Sequence, residues 1–159
     1  MLYMFSFLMI FSIIYDALTM RIPNWISAAL AASYIVCAVY TQQPVLTILS
    51  NFAVAFAILA CTFLLFARGI IGGGDGKLIA AVALWFGWSE QLLAYILIAG
   101  VLGGALSIAA LCSRNIAAFF PHPSWAPVWM VKNGHGVPYG MALGISGLIV
   151  FPGTFTSIF

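Results

Sequence analysis

Asp16, Asp75 and Glu90 are the only acidic residues in a chain of 159. Two carboxyls held close together cannot both ionise easily, so they share a proton and divide the acid and base roles. Such a pair can take a proton from water on one side and give one to the carbonyl oxygen of a peptide bond on the other. Asp75 stands in "GGGDGK" (72–77), and a glycine run beside a lysine also suggests a cradle for phosphate. That alternative fails on spacing. The pattern GxxxxGK[ST] puts Ile71 where its first glycine belongs and Leu78 where it needs a hydroxyl, and GxGxxG meets Lys77 in place of its last glycine. For Asp75 the residues leave two readings open. It does acid–base chemistry, or it caps a helix and pairs with Lys77 or Arg68.

The elements that must position these acids are apolar. The chain is 65% hydrophobic and 5% charged, with a mean hydropathy of +1.17. A water-soluble domain carries roughly 25% charged residues. So little charge cannot cover a surface in water, and lipid is the expected solvent. A membrane-crossing helix needs about 20 apolar residues, and about six such segments fill the chain as one domain over 1–159. The expected fold is therefore all-α: a polytopic bundle of about six transmembrane helices. The spans are expected at Leu2–Thr19, Trp25–Tyr40, Val45–Ala67, Asp75–Trp88, Leu92–Cys112 and from Pro138 to about Val150 or beyond. The opening segment lacks the basic start of a cleavable signal peptide, its first charge being Asp16, and reads as a retained span.

The basic residues orient this bundle. Arg21, Arg68, Lys77, Arg114 and Lys132 all fall in connections on one side, while "TQQP" and "WSEQ" on the other side contain none. Positive charge marks the cytoplasmic face, so both termini are expected on the non-cytoplasmic side. Asp16 and Asp75 then share one depth and one face, and Glu90 lies across the membrane from them. An ionisable group in a span is expensive and marks a functional site. Asp75 opens its span, where exposed N–H groups favour an anion, and Asp16 lies near the end of its own, where they do not. This difference predicts Asp75 as base and Asp16 as acid.

The remaining chemistry-bearing residues point elsewhere. Cys37, Cys61 and Cys112 form no CxxC pair and read as small packing residues. His122 and His135 lack ligand spacing, and no metal or cofactor is expected. The segment Ser113–Val137, with Phe119, Phe120, Trp125, Trp129 and Lys132, suits the headgroup layer as an interfacial loop or as a flap over the site. Gly100 and Gly104 have the GxxxG spacing that lets helices pack closely.

Three motifs carry a resemblance. "GGGD" at 72–75 matches the GxGD signature of intramembrane aspartyl proteases. "GGGDGKLIAAVALWFG" and "DALTMRIPN" resemble the corresponding stretches of type IV prepilin peptidases, particularly their short Tad/Flp-pilus branch. "GVPYGMALGISGL" resembles that family's Pro-Tyr-Gly helix start. The resemblance implies Asp16 and Asp75 as the catalytic pair. It also implies Gly72, Gly74, Lys77, Pro23, Asn24, Pro138, Tyr139 and Gly140 as supporting or substrate-binding positions. It implies a multi-pass enzyme of the cytoplasmic (inner) membrane that cleaves prepilin-like precursors, with a basic leader and a hydrophobic N-terminal helix, at the cytoplasmic face. Membrane lipid is the other expected partner, and nucleic acid is not one. The insertion with paired CxxC motifs that accompanies N-methylation in long members is missing, so peptidase activity alone is implied.

Two other classes stay in view. An ion-coupled transporter also uses intramembrane Asp pairs, but it calls for internal repeats and broken helices at mid-membrane. A non-enzymatic assembly subunit would use the glycines for packing alone. Presenilin-like and signal-peptide-peptidase-like enzymes share GxGD but resemble the chain less, given "RIPN" after the first Asp and only six spans.

Overall fold

The computed structural model describes the backbone at residues 2–117 and 136–158, and the side chains at 3–115 and 136–152. Six α-helices make up the described chain: α1 (Leu2–Thr19), α2 (Asn24–Tyr40), α3 (Val45–Ala67), α4 (Gly73–Phe86), α5 (Glu90–Ala117) and α6 (Tyr139–Ile158). Their breaks follow local chemistry. Met20 takes a left-handed φ of 55° and its N–H returns to the Asp16 carbonyl at 2.8 Å, which ends α1. Pro23 then holds the extended backbone that starts α2. At the end of α3, Gly69 has φ 71°. Its N–H bonds to the Phe66 carbonyl and that of Ile70 to Leu65, the bonding pattern of a glycine-closed helix end.

The expected spans recur with shifted ends. Helix α4 starts two residues before Asp75, at Gly73, and stops at Phe86. Helix α5 is longer than expected at both ends, and α6 continues through Pro152 to Ile158. Residues 113–117 of the expected interfacial segment are helical. Residues 118–135 of it, with Phe119, Phe120, His122, Trp125, Trp129, Lys132 and His135, lie outside the described residues.

Helix α4 occupies the centre, with nearly every side chain from Leu78 to Phe86 buried, and packs on α2, α3 and α6. Helix α6 in turn packs on α1 and α5. The segments Val45–Ala67 and Glu90–Asn115 are long and apolar enough to cross a membrane. Only Ala55 and Thr62 of the first are buried, so α3 is not the hidden core helix of a soluble fold. It presents Phe56, Phe63 and Leu64 outward. Apolar surface on that scale requires an apolar solvent.

One end of the bundle is locked by aromatic rings. Phe5 stacks on Phe151 at 3.8 Å between centroids, Trp85 meets both edge-on, and Phe86 packs on Tyr95 at 5.7 Å. The Trp85 indole N–H donates to the Leu30 carbonyl at 3.1 Å. Asn51, a polar residue inside an apolar span, donates to the Leu84 carbonyl and to the Tyr34 hydroxyl. It thereby satisfies a carbonyl freed at the end of α4. The C-terminal end of α4 is thus fixed, and its N-terminus points to the end where the aspartates lie.

The glycine packing differs from expectation. A Cβ on Gly100 or Gly104 would meet nothing within 4 Å among the described residues, so the GxxxG pair makes no helix contact there. The close approach on α5 belongs to Gly103, which lies under the ring of Tyr139, and on α6 to Gly144, which leaves no room beside Ile13.

Candidate active site

Asp16 lies one turn from the end of α1 and is 3% exposed. Its carboxyl accepts the backbone N–H groups of Gly140 and Met141, the latter at 3.2 Å from Oδ2. These are among the first-turn donors of α6 that have no helical carbonyl four residues back, and the Met141 N–H is shared with the Pro138 carbonyl at 3.3 Å. Pro138, which precedes that helix, has no side-chain acceptor to offer, so Asp16 caps α6 from another element. A Cβ on Gly140 would stand 2.8 Å from Asp16 Oδ2 and 2.6 Å from Ile22 Cδ1. The glycine of "PYG" is what lets the carboxyl reach the helix start. Tyr139 next to it packs over Gly103 and ties α6 to α5.

Asp75 is the third residue of α4 and is partly exposed. Its carboxyl folds back to accept the N–H of Gly72, the residue before the helix, as the acidic half of a capping box does. A Cβ on Gly72 would sit 2.7 Å from Asp75 Oδ2, so glycine is required where the carboxyl crosses the backbone. The charge of Asp16 acts directly on Asp75. The fold has brought residues 59 positions apart into one electrostatic unit.

Ile22 holds the two halves in register. Its backbone oxygen and Cβ lie 3.1 and 3.2 Å from where a Cβ on Gly74 would be, and its Cδ1 fills the space beside Gly140. The isoleucine of "RIPN" is therefore a buried wedge between the starts of α4 and α6. Pro23 turns the chain into α2, and Asn24 Oδ1 accepts a hydrogen bond from Lys77 Nζ at 2.9 Å. Lys77 is thus held to α2, two residues from Asp75, and the alternative of Asp75 pairing with Lys77 is not the arrangement seen.

The helix ends treat the two acids more equally than expected. Asp75 does open α4, but Asp16, at the close of α1, receives the N-terminus of α6. The difference in local dipole that assigned base to Asp75 and acid to Asp16 is removed by the tertiary packing. Glu90 opens α5 at the far end of the bundle. Among the described residues no group of three or more His, Cys, Asp and Glu could hold a metal ion.

A groove of about 260 Å³ runs between α3 and α4, lined by Leu59, Thr62, Phe63, Phe66, Gly73, Gly76 and Lys77. Gly73 and Gly76 flank Asp75 in sequence. A second groove of similar volume shares Leu59 and Lys77 and continues along α2, α3 and α4 to Phe52 and Leu84. The sequence did not single out Ile22 as a wedge or Asn51 as an anchor. The signal for Asn51 was present, as a lone amide in an apolar span.

The model of the Type IV leader peptidase family matches residues 2–108 of the chain. The match contains both aspartates, Ile22 and the whole of α4, and stops short of the Pro-Tyr-Gly start of α6. No curated protein and no solved structure matches the chain.

Proposed function

Because this chain belongs to the type IV leader peptidase family, we propose that it is a membrane-embedded aspartic endopeptidase with Asp16 and Asp75 as its catalytic pair. Its substrates are Flp/Tad-type prepilin-like precursors, cut between a basic leader and a hydrophobic helix. One observation carries the reading: the charge of Asp16 bears on the Asp75 carboxyl, two acids from distant helices, and each accepts backbone N–H at a helix start. A merely structural Asp cap needs one carboxyl per helix and no second one beside it.

In the proposed reaction one carboxylate removes a proton from water, and the water oxygen bonds to the scissile carbonyl carbon. The other carboxyl gives its proton to the carbonyl oxygen. The tetrahedral diol then collapses, the C–N bond breaks, and the amine leaves with a proton from the pair. Each product end forms without any other reactant. Both carboxyls lie in the hydrogen-bond field of a helix N-terminus, so either can carry the negative charge.

The reading places six helices across the cytoplasmic membrane as one domain, termini on the non-cytoplasmic side, because Arg21, Arg68, Lys77 and Arg114 stand at the aspartate end. Helix α4 has 14 residues, about 21 Å at 1.5 Å per residue, against roughly 30 Å of hydrocarbon. A helix that short leaves Asp75 recessed below the headgroups, at the depth where a substrate's apolar helix would begin. The grooves beside Gly73 and Gly76 would receive that helix, with lipid as the other occupant.

Co-expression with a candidate prepilin tests the proposal. Wild type is expected to shorten the precursor, and Asp16→Asn and Asp75→Asn are each expected to leave it intact. Processing that survives both substitutions would sink the peptidase reading.

A further inference from the structure

Two buried hydroxyls remain outside the site described so far. Ser12 and Tyr95 are fully buried, and among the described residues neither Ser12 Oγ nor Tyr95 Oη has a hydrogen-bond partner. Buried polar atoms are as a rule paired with protein or with ordered water, because an unmade hydrogen bond in an apolar interior is costly. Each of these two is associated with one member of the acidic pair. Ser12 precedes Asp16 by four residues, which puts both on one face of α1 about one 5.4 Å turn apart. Tyr95 reaches in from α5, and its side chain lies within electrostatic range of the Asp75 carboxyl. Phe86 packs on its ring and fixes it against α4. Ser27, a third hydroxyl without a partner, lines the groove between α2, α3 and α4 instead.

We propose that Ser12 and Tyr95 hold water inside the bundle, beneath the Asp16–Asp75 pair, and feed the carboxyls the water that hydrolysis consumes. The proposal rests on the aspartic peptidase reading. A buried water makes two to four hydrogen bonds; a hydroxyl can both donate and accept, and an ionised carboxylate accepts. A serine, a tyrosine and two carboxyls from three helices supply that set. Two turns further along α1, the stacked rings of Phe5 and Phe151 close the interior on the far side. Water held above them has its way out toward the aspartates. Ser12 and Tyr95 act through this water and are positioning residues.

X-ray hydroxyl-radical footprinting of the full chain in nanodiscs tests the site directly, since radicals form at ordered water and oxidise adjacent side chains whatever their exposure. Tyr95 is expected to be oxidised well above Phe5, which is equally buried. Oxidation of Tyr95 no faster than that of Phe5 overturns the proposal. Cleavage kinetics on a prepilin substrate give the second readout. Tyr95→Phe and Ser12→Ala are each expected to lower kcat tenfold or more with KM unchanged, while Ser12→Thr keeps most of kcat. Wild-type kcat in both Tyr95→Phe and Ser12→Ala also overturns it. Should Asp16→Asn and Asp75→Asn both still cleave, the peptidase reading fails on its own, and the footprint of Tyr95 still decides the water site.

Discussion

The backbone N–H of Met141 donates to Oδ2 of Asp16 at 3.2 Å, joining residues 125 positions apart in sequence. One carboxyl thereby serves two purposes: it ties α6 to α1 and is one of the two acids proposed for catalysis.

These purposes separate by substitution. Asp16→Asn keeps an oxygen that can accept from Met141, so its unfolding midpoint in detergent is expected close to wild type while precursor cleavage is lost. Asp16→Ala removes the acceptor and is expected to lose a further 1–2 kcal/mol or so of stability, the usual effect of deleting a helix cap. Equal stability of the two variants would show that the contact contributes nothing to the fold.

Gly72 and Gly74 are expected to respond differently to alanine. A Cβ at 72 meets the far end of the Asp75 side chain, which can swing aside. Gly72→Ala should therefore stay near wild-type stability and lose at least tenfold in cleavage rate, with the carboxyl displaced. A Cβ at 74 meets the backbone oxygen of Ile22, which cannot move without shifting the α1–α2 connection. Gly74→Ala should lose about 1–3 kcal/mol, as overpacked sites do. Thermal unfolding and cleavage of one prepilin, measured on both variants, check the contrast.

The Lys77–Asn24 hydrogen bond is exposed, and its worth is expected to be small. A double-mutant cycle of Lys77→Met and Asn24→Ala should give a stability coupling of about 0.5–1.5 kcal/mol. A coupling of zero would mean that Lys77 is free to serve the substrate or lipid phosphate instead.

On α5 the prediction concerns which glycine packs. Gly103→Ala, under the ring of Tyr139, is expected to destabilise the protein by about 1–3 kcal/mol. Gly100→Ala and Gly104→Ala, facing open space among the described residues, are expected to stay within about 0.5 kcal/mol of wild type. Unfolding midpoints of the three variants decide it, and the reverse order would show that the GxxxG face packs against something.

The helices and their order were legible in the residues, because span length and the breaks at "RIPN", "TQQP" and the glycine run are local properties of the chain. The common end of Asp16 and Asp75 was legible too, since the basic residues gather in alternate connections. Tertiary structure alone decided which faces meet. In an all-apolar helix no polar stripe marks the lipid side, for lipid and protein neighbours are equally greasy. That is why the GxxxG spacing of Gly100 and Gly104 misled, and why Gly103 and Gly144 went unnoticed. It is also why the helix-end argument for Asp16 and Asp75 broke down. A residue's own helix can be read from sequence, but the N-terminus of α6 arrives at Asp16 only through packing around Ile22 and Gly140.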